Sequence, residues 1–289
     1  MLRLKSARAM LIAAMCAFGT LGPFVRNISV SSGELALYRA VMAALLLAGY
    51  LLLTGQRIEF KSVRKESVLL LVSGMAMGVN WILLFEAYRY TTVSVATLSY
   101  YFAPVIVTAA CPFLFHEKLT VKQVICFAMS TLGLVLVINV TGMGGGTDNI
   151  GVLFGVGAAV FYAAVILLNK FIKSVAGIQR TFLQFASAIV ILVPYVACTS
   201  GVTLGALTSR GWVCLLVVGL FHTGVTYCLY FSALRELPGQ EAALLSYIDP
   251  LVAVLASVLI LGEQITAVQL FGGLLILGFT LWNEFQGKR

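Results

Sequence analysis

Long stretches of apolar residues, each followed by a short polar segment, run through the whole chain. Each stretch has about 18–23 residues, the length that an α-helix needs to cross the hydrocarbon core of a bilayer. Strictly alternating apolar and polar positions, which would indicate a membrane barrel, are absent from the sequence. The pattern predicts ten membrane-spanning helices, at residues 8–25, 33–54, 67–88, 93–115, 121–140, 150–169, 178–199, 211–232, 239–261 and 266–285.

The composition agrees with a chain that is buried in lipid. Of the 289 residues, 61% are hydrophobic and 10% are charged, whereas soluble domains carry about 25% charged residues. Such a chain has too few polar side chains to cover a surface that faces water, and an all-α integral membrane protein is predicted. The basic start "MLRLKSAR" also fits a signal peptide, but the nine spans that follow favour an uncleaved first helix.

Lysine and arginine are distributed unevenly between the predicted loops. With the N-terminus in the cytoplasm, 15 of the 19 basic residues fall on the cytoplasmic side, and Arg39 lies within a span. Because cytoplasmic loops are enriched in these residues, the pattern predicts a multi-pass protein of a bacterial-type inner (plasma) membrane with both termini cytoplasmic. It also accounts for the net charge of +8 without a separate basic domain, so no nucleic-acid partner is expected.

The chain repeats itself with a shift of 146 residues. Between 85–123 and 231–269, 11 of 39 positions are identical without a gap. We predict two repeats, at 1–140 and 150–289, that form one integrated transport domain. Because each repeat has five spans, an odd number, the second repeat enters the membrane from the opposite side. Inverted repeats are typical of secondary transporters, whose substrate site lies between the halves near the midplane.

Short motifs recur at matching places in the two repeats. The matching pairs are Tyr101-x-x-Pro104 with Tyr247-x-x-Pro250, Glu117 with Glu263, and Thr120-x-x-Gln123 with Thr266-x-x-Gln269. A Thr-x-x-Gln motif before an apolar run predicts a capping box at the start of a helix. The two prolines predict kinks in the fourth and ninth helices. The two glutamates precede the capping boxes and are predicted to fix the loops in which they lie.

These residues carry a resemblance to a known family. The stretch "GELALYR" places an arginine early in the second span, a proline in the fourth span is followed by Glu-Lys-Leu-Thr, and "YIDP" with "LGEQIT" repeats that pattern in the ninth. In these features the chain resembles the ten-helix, EamA-type members of the drug/metabolite transporter superfamily. The resemblance implies a central cavity that opens alternately to each side. It also implies a cargo among amino acids, other metabolites, amines and drugs.

Two charged residues of opposite sign are predicted inside the membrane, one in each repeat. Asp249 lies ten residues into its span, about 15 Å deep, where an aspartate costs about 2.5–3.5 kcal/mol. We interpret it either as a buried structural partner or as a site that binds a cationic group, carries a coupling proton, or does both. Arg39 either reaches towards the membrane surface, pairs with Glu34, or supplies a fixed positive charge for a carboxylate or phosphate. The counterparts of Asp249 and Arg39 in the other repeat, Ala103 and Gln184, are uncharged.

Aromatic residues are predicted at a similar depth. Trp81 and Tyr227 occupy matching positions, and with Tyr101 and Tyr247 they predict either an aromatic box for a ring or a cation, or ordinary packing. His222 is interpreted either as a proton relay or as a core histidine with satisfied hydrogen bonds. The substrate-binding set is therefore Arg39, Trp81, Tyr101, Tyr227, Tyr247 and Asp249, with Asp249 and His222 as candidate proton relays.

The predicted function is transport and not catalysis. Opposite charges beside aromatic rings suit a zwitterionic, amino-acid-type metabolite moved by alternating access, and the family resemblance favours export. Organic cations or drugs, and phosphorylated or nucleotide-linked metabolites, are the alternatives. An intramembrane enzyme would need a paired catalytic set, and the chain has neither an H-E-x-x-H nor a G-x-S-x-G motif.

No cofactor is predicted. The chain lacks a G-x-x-x-x-G-K-[ST] phosphate loop, so we expect the substrate gradient or proton exchange to supply the energy. Its six cysteines lie within spans without a C-x-x-C pair, which predicts neither disulfides nor a metal site. The expected partners are a small-molecule substrate, the lipid bilayer and protons, with the protein a monomer or a homodimer.

Overall fold

The computed structural model of the protein describes residues 2–56, 60–115, 120–141, 146–175, 177–234, 236–237 and 245–284. Every regular element in these ranges is a helix, which confirms the predicted all-α class for this part of the chain. Glu117 and residues 142–145, part of the loop between the predicted repeats, lie outside the described residues. The α-helices are α1 (Leu2–Gly19), α2 (Leu21–Val25), α3 (Ser32–Leu53), α4 (Phe60–Tyr90), α5 (Val93–Tyr100), α6 (Ala103–Phe115), α7 (Val121–Thr141), α8 (Gly146–Phe171), α9 (Gly177–Cys198), α10 (Ser209–Leu216), α11 (Thr226–Leu234), α12 (Ile248–Leu261) and α13 (Ala267–Glu284), with a 3-10 turn at Leu204–Ala206 and a π-helix at Val217–Val225.

The helices account for all ten predicted spans. Among the described residues, seven segments are long and apolar enough to cross a membrane: Ser6–Val25, Ser32–Leu53, Val63–Tyr90, Val93–Ala110, Asn149–Phe171, Gly177–Cys198 and Ser209–Leu234. Three shorter apolar helices, Val121–Val137, Ile248–Leu261 and Ala267–Asn283, stand at the predicted fifth, ninth and tenth spans. An all-helical membrane protein is therefore confirmed. We refer to the segments in chain order as the first to the tenth span.

Contacts between the two halves of the bundle come in matched pairs. The third span packs against the sixth and seventh spans, and the eighth span packs in the same way against the first and second. The fourth span contacts the sixth, and the ninth contacts the first. The second and seventh, the fourth and ninth, and the fifth and tenth spans contact each other directly. Exchanging each span with the one five places later reproduces this pattern, as an internal two-fold axis between two repeats requires.

The fifth and tenth spans cross closely at two glycines. A β-carbon added to Gly133 would lie 2.6 Å from the carbonyl oxygen of Gly272, and one added to Gly272 would lie 2.6 Å from that of Gly133. Small residues of this kind let two membrane helices approach closely. The crossing therefore depends on one glycine from each of the two spans, although the repeat shift of 146 does not align these two positions.

The fifth and tenth spans also begin with the same cap. The backbone amide of Thr120 donates to the side chain of Gln123 at 2.8 Å, and Thr266 donates in the same way to Gln269 at 3.0 Å. In return, the backbone amide of each glutamine donates to the hydroxyl of the threonine at 3.2 Å. Both predicted capping boxes are therefore confirmed.

The fourth and ninth spans are broken at their prolines. Helix α5 ends at Tyr100 and α6 begins at Ala103, with Pro104 as its second residue. Helix α12 begins after Tyr247, and Pro250 is its third residue. A proline in the first turn of a helix is tolerated because an amide there would have no partner within the helix. The predicted kink in one continuous helix is corrected to a junction between two half-helices in each repeat.

Candidate functional site

Arg39 lies inside the protein, in the third turn of α3. The residue is only 3% exposed, so its side chain does not reach outward to the membrane surface. The guanidinium carbon lies 4.5 Å from the centre of the Trp81 ring and 5.3 Å from that of Phe85. Its Nε donates a hydrogen bond to the Thr223 hydroxyl at 3.0 Å. Contact with aromatic faces stabilises a buried cation without neutralising its charge.

Glu34 does not pair with Arg39. The carboxylate of Glu34 accepts a hydrogen bond from the backbone amide of Thr203 at 2.6 Å and from its hydroxyl at 2.7 Å. It also accepts from Tyr38 at 3.0 Å and closes a capping box with Ser31. Both predicted structural roles for the arginine, pairing with Glu34 and reaching the surface, are thus wrong. The third role, a fixed positive charge, is compatible with the geometry.

Gln184, the counterpart of Arg39 in the second repeat, has a different environment. Its side-chain nitrogen donates to Ser73 and to Asn169, each at 2.7 Å. The two hydrogen bonds occupy both protons of that amide. By contrast, no acceptor contacts the two terminal nitrogens of Arg39 within the described ranges. The two-fold symmetry of the bundle is therefore broken at this position, and only the first repeat keeps donors free for a ligand.

A series of aromatic rings leads away from Arg39. The ring of Trp81 meets that of Phe185 at 5.3 Å between centroids, and Phe185 meets Tyr227 at 5.3 Å. Tyr227 then contacts Phe18 at 5.1 Å. All three contacts are edge-to-face, a favourable geometry for aromatic rings. Trp81 and Tyr227, predicted as neighbours, are thus joined through Phe185.

Asp249 stands in the first turn of α12, at the break in the ninth span. The Tyr101 hydroxyl, at the break in the fourth span, donates to its Oδ2 at 2.5 Å. Asp249 is half-buried, and no cation pairs with it in the part of the chain that the structure describes. The two half-helix junctions of the repeats therefore meet at a carboxylate and a phenol.

Two tyrosines that the sequence reasoning missed, Tyr100 and Tyr162, lie close to the predicted Tyr227 and Asp249. Tyr100 and Tyr227 lie close enough to interact electrostatically with both Arg39 and Asp249. Tyr162 stacks on Tyr100 at 5.1 Å and also interacts with Asp249. Tyr162 is 38% exposed. The position of Tyr100 beside Tyr101 was the only signal in the sequence.

Tyr247 and His222 are the remaining predicted site residues. Tyr247 packs with Tyr101 against an apolar cluster that includes Leu98 and Ile276. An aromatic box of these two tyrosines with Trp81 and Tyr227 stays a prediction. His222 is 1% exposed, and its two ring nitrogens contact Thr20 at 3.1 Å and the Val217 carbonyl at 3.3 Å. This geometry favours a core histidine over a proton relay.

Glu263 fixes the loops at one end of the bundle. Its carboxylate forms a salt bridge with Arg26 at 3.1 Å and accepts the backbone amide of Val93 at 2.8 Å. It also accepts the hydroxyl of Ser257, which in turn accepts a hydrogen bond from Ser94 at 2.8 Å. We call these residues the Glu263 cluster. The cluster ties together the first, fourth and ninth spans, as the predicted loop-fixing role requires.

Known proteins resemble this chain over nearly its full length. A model of the EamA-like transporter family matches it twice, over residues 5–139 and 149–283. The uncharacterized transporter YxxF of Bacillus subtilis (strain 168) is 30% identical over 268 residues, which cover 92% of this chain and 85% of that protein. An uncharacterized transporter of Archaeoglobus fulgidus is 25% identical over 284 residues, which cover 97% of this chain and 98% of that protein.

The fold also matches a solved protein structure. One crystal structure superposes with a TM-score of 0.69 over 98% of this chain and 99% of the other. Because the two sequences are only 15% identical, this likeness concerns the fold alone.

Proposed function

For this chain, which belongs to the EamA-like transporter family and is a membrane transporter, we propose that the cargo is a zwitterionic metabolite of the amino-acid type. The cargo binds between the two repeats and crosses a bacterial-type inner membrane by alternating access. In this proposal Arg39 binds the carboxylate of the substrate and Asp249 binds its ammonium group. The tyrosines between them contact the rest of the molecule.

The observation that carries the proposal is the placement of these two charges. Arg39 and Asp249 come from opposite repeats, and neither has an ion-pair partner in the described ranges. Tyr100 and Tyr227 lie near both. Isolated charges at membrane depth are costly, and they are typical of substrate and ion pathways. A molecule with one positive and one negative group would compensate both charges at once.

The geometry suggests how each end of the substrate is held. The terminal nitrogens of an arginine form a planar fork that matches a carboxylate with two parallel hydrogen bonds. At the other end, Asp249 has one oxygen bonded to Tyr101 and can accept the substrate ammonium through the other. Both Tyr101 and Asp249 lie at breaks between half-helices, the usual place for substrate contacts in transporters with inverted repeats. Movement of one repeat against the other would then expose this site to each side in turn.

Export is the proposed direction. Under the predicted topology the Glu263 cluster lies on the outer side, where it joins three spans. A site closed on that side would open to the cytoplasm, as the loading step of export requires. The energy comes either from the substrate gradient or from proton exchange. Counterflow in proteoliposomes loaded on one side with an amino acid would measure the direction.

The test is the variant Arg39→Gln, which copies the second repeat. We expect it to fold and to bind zwitterionic amino acids roughly 100-fold more weakly, because two hydrogen bonds to a charged group are lost. The measurement is a thermal-shift titration of the purified protein with each L-amino acid and its methyl ester, followed by flux in liposomes. The thermal shift reports binding because ligands stabilise the state that they bind. The ester lacks the carboxylate, so its binding should change little between wild type and variant. Normal zwitterion binding by Arg39→Gln would overturn the proposal.

Organic cations and drugs are the second candidate cargo. The observation that favours them is the ring surface of Tyr100, Tyr162 and Tyr227 near the Asp249 carboxylate. Aromatic rings and a carboxylate together bind quaternary and tertiary amines well. This candidate makes the opposite prediction for Arg39→Gln, because loss of a positive charge would leave cation transport intact or improve it.

A further inference from the structure

The eighth span contains a π-helix that its counterpart in the first repeat lacks. Residues Val217–Val225 adopt this wider turn between α10 and α11, in which each amide bonds the carbonyl five residues earlier and not four. With the repeat shift of 146, the matching residues 71–79 lie within the uninterrupted helix α4. π-Helical turns are rare and occur frequently at functional sites. The difference therefore marks a place where the second repeat has diverged.

Side chains support the wider turn from within. The hydroxyl of Thr223 donates to the carbonyl of Val218, and that of Thr226 donates to the carbonyl of Phe221, each at 2.8 Å and each five residues back. Hydroxyls in an ordinary α-helix bond carbonyls three or four residues back. Both threonines are fully buried, so these hydrogen bonds have no competition from water.

Only one of these threonines touches Arg39. The Nε of Arg39 donates to the Thr223 hydroxyl at 3.0 Å. The single proton of that hydroxyl is used on Val218, so the oxygen presents its lone pairs to the arginine. A glycine helps to bring the π-helix close to α3: a β-carbon at Gly224 would lie 2.9 Å from the side chain of Leu46.

The contacts of Arg39 leave a defined part of the guanidinium free. Trp81 and Phe85 cover its face, and Thr223 takes Nε. In the described part of the protein, none of the groups within contact distance carries a negative charge, and none accepts from the terminal nitrogens. The orientation of the free fork is therefore set by the one hydrogen bond at Nε, because a ring face alone does not restrain rotation of the group in its own plane.

We infer that Thr223 is the positioning residue that aims Arg39 at the substrate carboxylate, and that the π-helix presents Thr223 to it. This inference rests on the proposed function of Arg39. A return to α-helical geometry would rotate the residues beyond the turn by about 100°, the angle per residue in an α-helix, and would withdraw the Thr223 hydroxyl. Thr223 thereby determines how well the site distinguishes a carboxylate from a neutral ester.

The chain supplies a matched control for the test. Thr223→Val and Thr226→Val each remove one buried hydroxyl that bonds a carbonyl of the π-helix at 2.8 Å, but only the first removes the acceptor of Arg39. We expect Thr223→Val to bind zwitterionic amino acids roughly 10- to 100-fold more weakly and their methyl esters as well as wild type does. Thr226→Val should bind both as wild type does, and Thr223→Ser should restore zwitterion binding. Thr223→Ala serves in place of Thr223→Val where valine prevents folding.

A second measurement needs no ligand. In protein labelled with ¹⁵N-arginine, the Nε–H signal of Arg39 is identified by its loss in Arg39→Gln. Its hydrogen exchange should be slow in wild type and in Thr226→Val, and at least roughly 10-fold faster in Thr223→Val, because the buried hydrogen bond is gone. Unchanged exchange in Thr223→Val would overturn the positioning role.

The two proposals fail in different ways. If Arg39→Gln keeps full affinity for zwitterions, the proposed function is wrong. If Arg39→Gln loses that affinity and Thr223→Val keeps it, the proposed function stands and Thr223 does not position the arginine. An equal loss for esters and zwitterions in Thr223→Val would also overturn the inference, because it would indicate a general change in structure.

Discussion

Replacing the carboxylate of Asp249 tests the other end of the proposed substrate site. Asp249→Asn removes the negative charge and keeps an oxygen that can accept from Tyr101. Asp249→Ala copies the sister position, Ala103, which is fully buried in the first repeat. Because that repeat accepts alanine at the same junction between half-helices, we expect both variants to fold. Tyr101→Phe completes the set by removing the hydroxyl and leaving the charge.

The size of the effect follows from the surroundings of the carboxylate. Two unit charges 4 Å apart attract each other by about 4 kcal/mol at an effective dielectric constant of 20. Removal of the substrate ammonium from water opposes this, and a hydrogen bond to a charged group has a net value of about 1.5–3 kcal/mol. Asp249→Asn should thus weaken zwitterion binding roughly 10- to 150-fold. Tyr101→Phe should not weaken it, because the Tyr101 hydroxyl bonds Oδ2 and the substrate ammonium binds the other oxygen.

The assay compares each amino acid with the carboxylic acid that lacks its amino group. Thermal-shift titrations give the affinities, and flux in liposomes gives the transport rates. Asp249→Asn should lose affinity for the amino acid and keep its affinity for the deaminated acid. If Asp249 also carries the coupling proton, wild-type transport depends on pH, and Asp249→Asn removes that dependence.

Two results would refute this reasoning. An equal loss for both ligands in Asp249→Asn would mean that the carboxylate does not contact an ammonium group. Loss of stable expression in Asp249→Ala, together with normal transport and an unchanged pH profile in Asp249→Asn, would mean that the residue is a structural partner of Tyr101. The binding site would then be sought around Arg39 and Tyr227.

Two further predictions concern topology and stability. A cysteine at Asp148 should react with an impermeant reagent from the outer side, with both termini cytoplasmic, and reaction from the cytoplasmic side alone would contradict the inverted repeats. Glu263→Ala should lower the free energy of unfolding by about 1.5–3 kcal/mol, because the bridge to Arg26 is mostly buried on the glutamate side, with 13% exposure. The control Glu86→Ala breaks a bridge of similar length to Arg89, whose side chain is 59% exposed, and should cost at most about 1 kcal/mol. Equal losses in the free energy of unfolding of the two variants, measured with denaturant, would contradict the role of burial.

The spans and the repeat could be predicted from the sequence because their signals are local. A helix in lipid must bond all its backbone groups internally, so each span appears as one unbroken apolar run. The capping boxes at Thr120 and Thr266 were predictable for the same reason, since a cap involves residues three apart. The salt bridge between Glu86 and Arg89, at 3.2 Å, is equally local, because residues three apart are neighbours on one helix.

The candidate site was predictable only in part. Membrane depth and sign of charge were sufficient to select Arg39 and Asp249, because charges in a span are rare and costly. The same reasoning missed Tyr100 and Tyr162, which stack on each other. Which tyrosines point inward depends on the rotation of each helix about its axis. That rotation is decided by contacts between spans far apart in sequence.

Tertiary structure alone decided the partner of each polar group. Glu34 and Arg39 are close in the sequence, but Glu34 bonds Thr203 and Arg39 bonds Thr223. The π-helix that presents Thr223 left no mark in the hydropathy pattern, because one wider turn changes neither the length nor the polarity of the span. A buried polar group must find a partner somewhere, and its nearest neighbour in the sequence is only one of several that folding brings within reach.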